Sequence, residues 1–277
     1  GICNTLSAAG AFIGGGASNF IQSRGVGSAF AAACGVTGNT IVNGLSNLII
    51  NAKSAPGSLE GDKRGPKRAA IITGSCNKIT TRYGFSYSDD TFIGGGCFNS
   101  IEGSERSTIL NGSRNEIRSC YNHDGYGSGA CESTILGGCC NRIDGAGGSI
   151  IATGCKNIIH PNGGNSIIAG GNENEICCFS SFIGGGSCNI ITQRSSFIGN
   201  GRKNVATGCH STVVNGLCLS ATNTFATIIG GKGNSAGGNN AANQKGCYAT
   251  LIGGKDNKSF AKCGFVGGGS CNKVYGY

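Results

Sequence analysis

Aliphatic positions recur along this chain at two fixed distances from a repeated asparagine, with small and Gly-rich positions between them. Residues 181–191, Ser-Phe-Ile-Gly-Gly-Gly-Ser-Cys-Asn-Ile-Ile, show the frame most clearly. With Asn189 as position 0, the frame returns around Asn19, Asn47, Asn77, Asn99, Asn115, Asn141, Asn157, Asn174, Asn204, Asn234, Asn257 and Asn272. Ser220 replaces the Asn once, and Asn4 heads a shortened first copy. Position −6 is aliphatic throughout, from Ile13 through Ile183 and Val214 to Val266. Position +2 is Ile in most copies, among them Ile21, Ile101 and Ile191, and weakens to Ala206, Thr222, Ala236 and Ser259. Position −3 is Gly in Gly16, Gly44, Gly74, Gly96, Gly112, Gly138, Gly154, Gly171, Gly186, Gly201, Gly231, Gly254 and Gly269, with Leu217 as the exception.

Uninterrupted copies place successive Asn residues 14 to 17 apart. A period that short, rich in Ile, Val and Thr and punctuated by Gly and Asn, predicts one solenoid coil of two short strands and two turns. The expected fold is all-β, a parallel β-solenoid of about 15 coils, with residues 1–277 forming one repeat domain or a segment of a longer array. Strands of each coil pair with those of the next, and the two aliphatic columns face each other across a flattened coil. The Gly-Gly-x-x-Asn turn accepts no insertion. Its Gly supplies a positive φ, and Asn residues such as Asn19, Asn99, Asn141, Asn189 and Asn272 are expected to occupy the left-handed region and bond local backbone. Extra length, at 25–38, 52–67, 80–90, 118–132 and 237–246, always falls after position +2 and before the next position −6. The insertions therefore decorate one edge, where recognition concentrates in such proteins.

Position −7 neighbours an inward residue and so points outward in a strand. It carries Phe12, Phe92, Ile150, Ile167, Phe182, Phe197 and Phe265, and in this reading also Val213. Two Ile per coil make a thin core, and outward Phe and Ile are a liability in a monomer. A cyclic homo-oligomer with parallel axes covers that column and is the expected assembly.

Composition narrows the alternatives. The 53 Gly follow no Gly-X-Y period and accompany only 3 Pro, which excludes collagen. Charged residues are 13% and no long apolar window occurs, so neither a disordered polar chain nor membrane insertion is expected. The net charge of +9 raises nucleic acid as a partner, with Lys53, Lys63, Arg64, Lys67 and Arg68 as the natural contact. Acids are interleaved there and no regular basic stripe runs down the copies, so nucleic acid is not the expected partner. The 17 Cys fall largely in repeat columns, Cys3, Cys76, Cys140, Cys188 and Cys271 at −1 and Cys97, Cys139, Cys155 and Cys218 at −2. That placement reads as small turn residues made in a reducing compartment, with disulfides between stacked coils, Cys139 to Cys155 first, as the alternative.

Candidate chemistry is sparse. Paired carboxylates for polysaccharide cleavage would have to come from Glu60, Asp62, Asp89, Asp90, Asp124 and Glu132, which lie on different loops. His123, His160 and His210 are scattered and no Cys-x-x-Cys occurs, so no metal or cofactor is expected. Aromatic and amide-rich loops are better candidates for ligand contact: Tyr83, Phe85 and Tyr87 alternate in one, and Tyr121, His123, Asp124 and Tyr126 share another.

The Ser-x-Ile-x-Gly-Gly-x-x-Asn-x-Ile pattern resembles the repeats in head domains of trimeric YadA-type adhesins, and also repeats in fibre-like virion proteins of large DNA viruses and phages. The resemblance covers nearly the whole chain. It implies a left-handed parallel β-roll, a homotrimer, and a place in a virion or on an extracellular surface. Abundant Cys and long insertions depart from the bacterial pattern and suit assembly in a reducing cytoplasm. The leading expectation is a non-enzymatic structural fibre or capsid-associated protein, contacting itself and other virion or surface proteins. A receptor- or glycan-binding adhesin module, with host glycan as partner, is the alternative, and a polysaccharide-cleaving tailspike-like enzyme is third.

Overall fold

The computed structural model describes residues 1–8, 10–22, 38–50, 68–80, 89–119, 131–237 and 247–276. The described residues contain no helix; strands of two or three residues make up an all-β parallel solenoid. Two compact units divide the chain, Gly1–Thr153 and Gly154–Tyr277. In the first, seven strands from Thr5–Ser7 to Arg142–Asp144 stack in chain order as one sheet, and seven from Phe12–Ile13 to Ile150–Ile151 as another. The second unit repeats this with eight strands from Ile158–Ile159 to Lys273–Val274 and seven from Ile167–Ile168 to Phe265–Val266. The strand pairings among the described residues are parallel and keep equivalent positions in register, as in Phe182↔Phe197 with Ile183↔Ile198, and Ile176↔Ile191. A third row, one residue wide, bridges the coils at position −2, as in Ser187↔Arg202.

Register places the aliphatic columns inside. Ile71, Ile93, Ile135, Ile183 and Ile198 at −6 are fully buried, as are Ile79, Ile101, Ile143, Ile176 and Ile191 at +2. One copy departs from the frame read in the sequence. Val213, not Val214, is inward, pairing with Ile198 and Ile228, while Val214 is exposed. Gly216 takes the positive-φ turn position expected of Leu217, Leu219 takes the Asn position, and Ser220 and Ala221 form the next strand. Cys218 thereby joins the other Cys at −1, and Ala221, not Thr222, is the inward small residue. The shift turns the uneven intervals around Ser220 into two equal intervals of fifteen, which stacking requires.

Two left-handed corners explain the buried polar residues. The residue before each Asn has a positive φ, for example Ser18, Cys76, Phe98, Lys156 and Cys188, and so does the residue at −9, for example Asp90, Arg106, Ser180 and Ser195. The left-handed residue is thus the one preceding the Asn, which corrects the expectation that the Asn itself adopts that conformation. At such a corner the amide points back: Cys188 N–H donates to Asn172 O at 3.0 Å and Ser195 N–H to Phe179 O at 3.1 Å. The next N–H faces the interior, where an unpaired amide is costly. Side chains of the preceding coil take it. Asn189 N–H donates to Asn174 Oδ1 at 3.1 Å, and Asn204 N–H to Asn189 Oδ1 at 3.0 Å. At the second corner Ser181 N–H donates to Ser166 Oγ at 3.0 Å and Ser196 N–H to Ser181 Oγ at 3.3 Å. Between the two ends of the ladder the Asn side chain also donates through Nδ2 to its own turn and to the next, as Asn189 does to Gly185 O at 2.9 Å and Gly201 O at 3.0 Å. The Ser ladder was legible as small polar residues recurring at −8 but was missed.

Leu219 interrupts the Asn ladder. It accepts nothing from the amide of Asn234, and sits where the inward row has thinned to Ala206, Ala221 and Ala236, so it supplies apolar volume instead. Hydrogen exchange tests this: the Asn234 amide is expected to exchange faster than those of Asn189, Asn204 and Asn257, and Leu219→Asn to slow it. Equal protection in the parent contradicts the broken ladder.

Candidate functional site

The outward face of the sheet that begins at Phe12–Ile13 in the first unit, and at Ile167–Ile168 in the second, is built from positions −7 and −5. These two rows compensate each other in size. Phe92, Phe182, Phe197 and Phe265 are followed two residues later by Gly94, Gly184, Gly199 and Gly267, whereas Thr108, Thr134, Thr227 and Thr250 are followed by Leu110, Leu136, Ile229 and Ile252. Ile150 and Ile167 are matched with Ala152 and Ala169. The reason is geometric: the Phe ring lies over the glycine, with Phe92 Cε1 3.2 Å and Phe182 Cε1 3.3 Å from where a Cβ on Gly94 or Gly184 would sit. Successive rings stack, Phe182 and Phe197 at 5.4 Å between centroids. The result is a face of even height in each unit.

That face is also apolar. Phe12, Leu110, Leu136 and Ile150 in the first unit and Ile167, Phe197, Ile229, Ile252 and Phe265 in the second are exposed, Phe265 by 61%, and among the described residues neither row holds a charge. The outward rows of the companion sheets differ, carrying Lys78, Glu102, Glu116, Arg118, Arg142 and Asp144 in the first unit. Asp144 is clamped there by Arg142 at 2.8 Å and Arg118 at 3.0 Å. Contiguous apolar surface of this kind marks a contact surface. All seven candidate interface residues read from the sequence lie on it, Phe92 and Phe182 being half-buried.

No protein-family model and no curated protein matches this chain.

The thirteen turn glycines all have positive φ, from +80° at Gly16 to +118° at Gly44. A Cβ on Gly186 would come within 2.0 Å of Gly201 O, so close approach between coils adds to the conformational demand. The candidate ligand residues Tyr83, Phe85, Tyr87, Tyr121, His123, Asp124 and Tyr126 lie outside the described residues, as do Glu60, Asp62 and most of the basic cluster. The described chain stops at Gln22, Ile50, Thr80, Ser119 and Gly237 and resumes at Gly38, Arg68, Asp89, Cys131 and Cys247, so every insertion flanks the corner at −9.

That corner carries a row the sequence reading missed. In the first unit it alternates in charge, Arg68, Asp90, Arg106, Glu132, with Arg68 paired to Asp90 and Arg106 to Glu132 at 3.0 Å. The Arg68 hydrogen bond holds the Asp90 carboxyl below its usual range. Asp90 and Glu132 are therefore engaged by arginines and do not form a carboxylate pair. In the second unit the same row stacks His210, Phe225 and Tyr248 at 4.9 Å between successive rings. A basic row, not expected from the sequence, also appears in this unit: Arg202, Lys232 and Lys255 share position −2, with Lys203 beside Arg202.

One cluster of potential metal ligands forms among the described residues. His160, Glu175 and Cys177 present a nitrogen, an oxygen and a sulfur, all half-buried, within 4.8 Å of one another. His160 Nε2 contacts Glu175 Oε1, and Cys177 Sγ lies 3.9 Å from the same oxygen. Burial, with the Glu175 charge adding, pushes the Cys177 thiol up to about 11. Nothing in the sequence alone marks it, since the three His are scattered, no Cys-x-x-Cys occurs, and His160 meets Glu175 and Cys177 only through the stacking of two coils.

Proposed function

We propose that this chain is a non-enzymatic structural element that packs against copies of itself through its apolar sheet face, in a parallel homotrimer. The observation that carries the reading is the size compensation between positions −7 and −5. The ring lying over its glycine accounts for each Phe-x-Gly pair within the chain, but an outward row left in water has no need to place Leu, Ile or Val at −5 wherever −7 is Thr, and a surface packed on the face does. The repeated Phe-x-Gly and Thr-x-Leu/Ile pairs behave like half of a buried interface. The charged rows on the companion sheet of the first unit suit the solvent side of such an assembly. A fibre or capsid-associated role in a virion, or on another extracellular surface, is the setting that the repeat pattern suggests, and a reducing cytoplasm is the place of assembly that the Cys content suggests.

The test is a pair of charges on the face. Ile167→Glu with Phe197→Glu places two carboxylates on the face, two coils apart with Phe182 between them, without touching the inward rows, since both residues are outward and more than a third exposed. Sedimentation equilibrium is expected to show the parent as an oligomer and the double variant shifted to the 27.7 kDa chain mass, with the β spectrum retained. A double variant that associates like the parent overturns this use of the face.

A further inference from the structure

We propose that His160, Glu175 and Cys177 bind a divalent transition-metal ion of the zinc class on the outer surface of the second unit. This site is independent of self-association and is created by the stacking of two coils. The strands Ile158–Ile159 and Glu175–Ile176 are paired with Ile158 opposite Glu175 and Ile159 opposite Ile176, which brings His160 alongside Cys177. Glu175 and Cys177, two apart on one extended segment, project to the same side. Backbone bonds hold both carriers: His160 N–H donates to Ile176 O at 2.8 Å and Cys177 N–H to Ile191 O at 2.8 Å. The donors are thus mounted at the ends of paired strands, not on one of the long insertions.

Distances and donor types fit. A tetrahedral zinc ion about 2.0–2.3 Å from its ligands spaces them roughly 3.3–3.8 Å apart. The Glu175 oxygen to Cys177 sulfur distance is 3.9 Å, and no pair exceeds 4.8 Å, so small side-chain rotations complete the geometry. One nitrogen, one oxygen and one sulfur suit zinc or cobalt and not calcium or magnesium, which take oxygen alone. Three protein ligands leave the fourth position open to water at this half-exposed surface. The outward residues paired to either side of Glu175, Ile158 and Ile190, bring no competing cation. Binding displaces the proton of the Cys177 thiol and places the neutral His160 Nε2 on the metal in place of its contact with Glu175.

The experiment uses the whole chain, reduced and stripped with a chelator, titrated with Co²⁺ and then Zn²⁺. Parent protein is expected to take up one equivalent per chain, with the near-ultraviolet charge-transfer band of a cobalt thiolate that zinc then quenches. His160→Ala and Cys177→Ser are expected to weaken binding by at least the about 10–100-fold that even outer partners contribute. Cys218→Ser, which removes an exposed thiol outside the cluster, is expected to bind as the parent does. Circular dichroism of each variant checks that the coil is intact, and Glu175→Gln serves as a second ligand variant if one of the others misfolds. Absence of a stoichiometric site, or a site that survives His160→Ala and Cys177→Ser because other thiols supply it, overturns the proposal and leaves the contact of His160 with Glu175 a structural one. Assembly does not enter the readout, so either idea can fail alone.

Discussion

Gly186→Ala is expected to destabilise the protein by about 3 kcal/mol, from a single added methyl group. Two effects add. The backbone at Gly186 has φ +83°, where an L side chain is strained, and the new Cβ would lie 2.0 Å from Gly201 O of the next coil and 2.7 Å from Asn189 Nδ2. Neither neighbour can yield freely, since one is backbone and the other is committed to the Asn ladder. Gly253→Ala is the matched control. Gly253 stands one position earlier in its own turn, and its Cβ would meet nothing within 4 Å, so its replacement is expected to leave the denaturation midpoint within a few tenths of a kcal/mol of the parent. Valine at position 186 should be worse than alanine. If Gly186→Ala and Gly253→Ala unfold alike, close stacking of the turns is not what demands glycine.

Asn189→Asp is expected to cost about 3–5 kcal/mol at neutral pH although the side chain keeps its shape. The change removes the two donors that reach Gly185 O at 2.9 Å and Gly201 O at 3.0 Å, and sets a buried carboxylate oxygen against those carbonyls. The acceptor function toward Asn204 N–H survives, so the loss is one of donors and of charge. Its sign with pH follows. The folded environment raises the new carboxyl above the roughly 3.9 of an unfolded Asp, so the penalty is smallest below about pH 3.9 and grows as pH rises until the folded carboxyl ionises. Melting curves of variant and parent should therefore converge in acid and separate toward neutrality. A gap that does not change with pH contradicts a site lined by carbonyl acceptors at Asn189 Nδ2.

The inward half of this design was legible from sequence and the outward half was not, for a physical reason. Inward columns admit few residue types, so Ile183, Ile198 and their equivalents repeat visibly, as do Gly186 and Asn189, each confined by the coil above. Val213-Val214 offered two aliphatic choices with no Asn to decide between them, and only the stacking of Gly216 and Leu219 resolves the register. Outward positions vary from coil to coil, because each meets solvent or a partner. Arg68, Asp90, Arg106 and Glu132 share a row only once the coils are stacked across long insertions. His160 and Cys177 meet for the same reason, a full coil apart in sequence and adjacent in space. The Phe-x-Gly pairs are visible in the sequence, but their meaning depends on position −5 as well as −7, and the two share a face only in the folded strand.

The claim that the apolar face is covered by copies of the chain is tested most directly by the mass of the intact protein in solution. Light scattering coupled to size exclusion, at low protein concentration and under reducing conditions, is predicted to give three times the 27.7 kDa chain mass. A folded, stable species at the single-chain mass would contradict it.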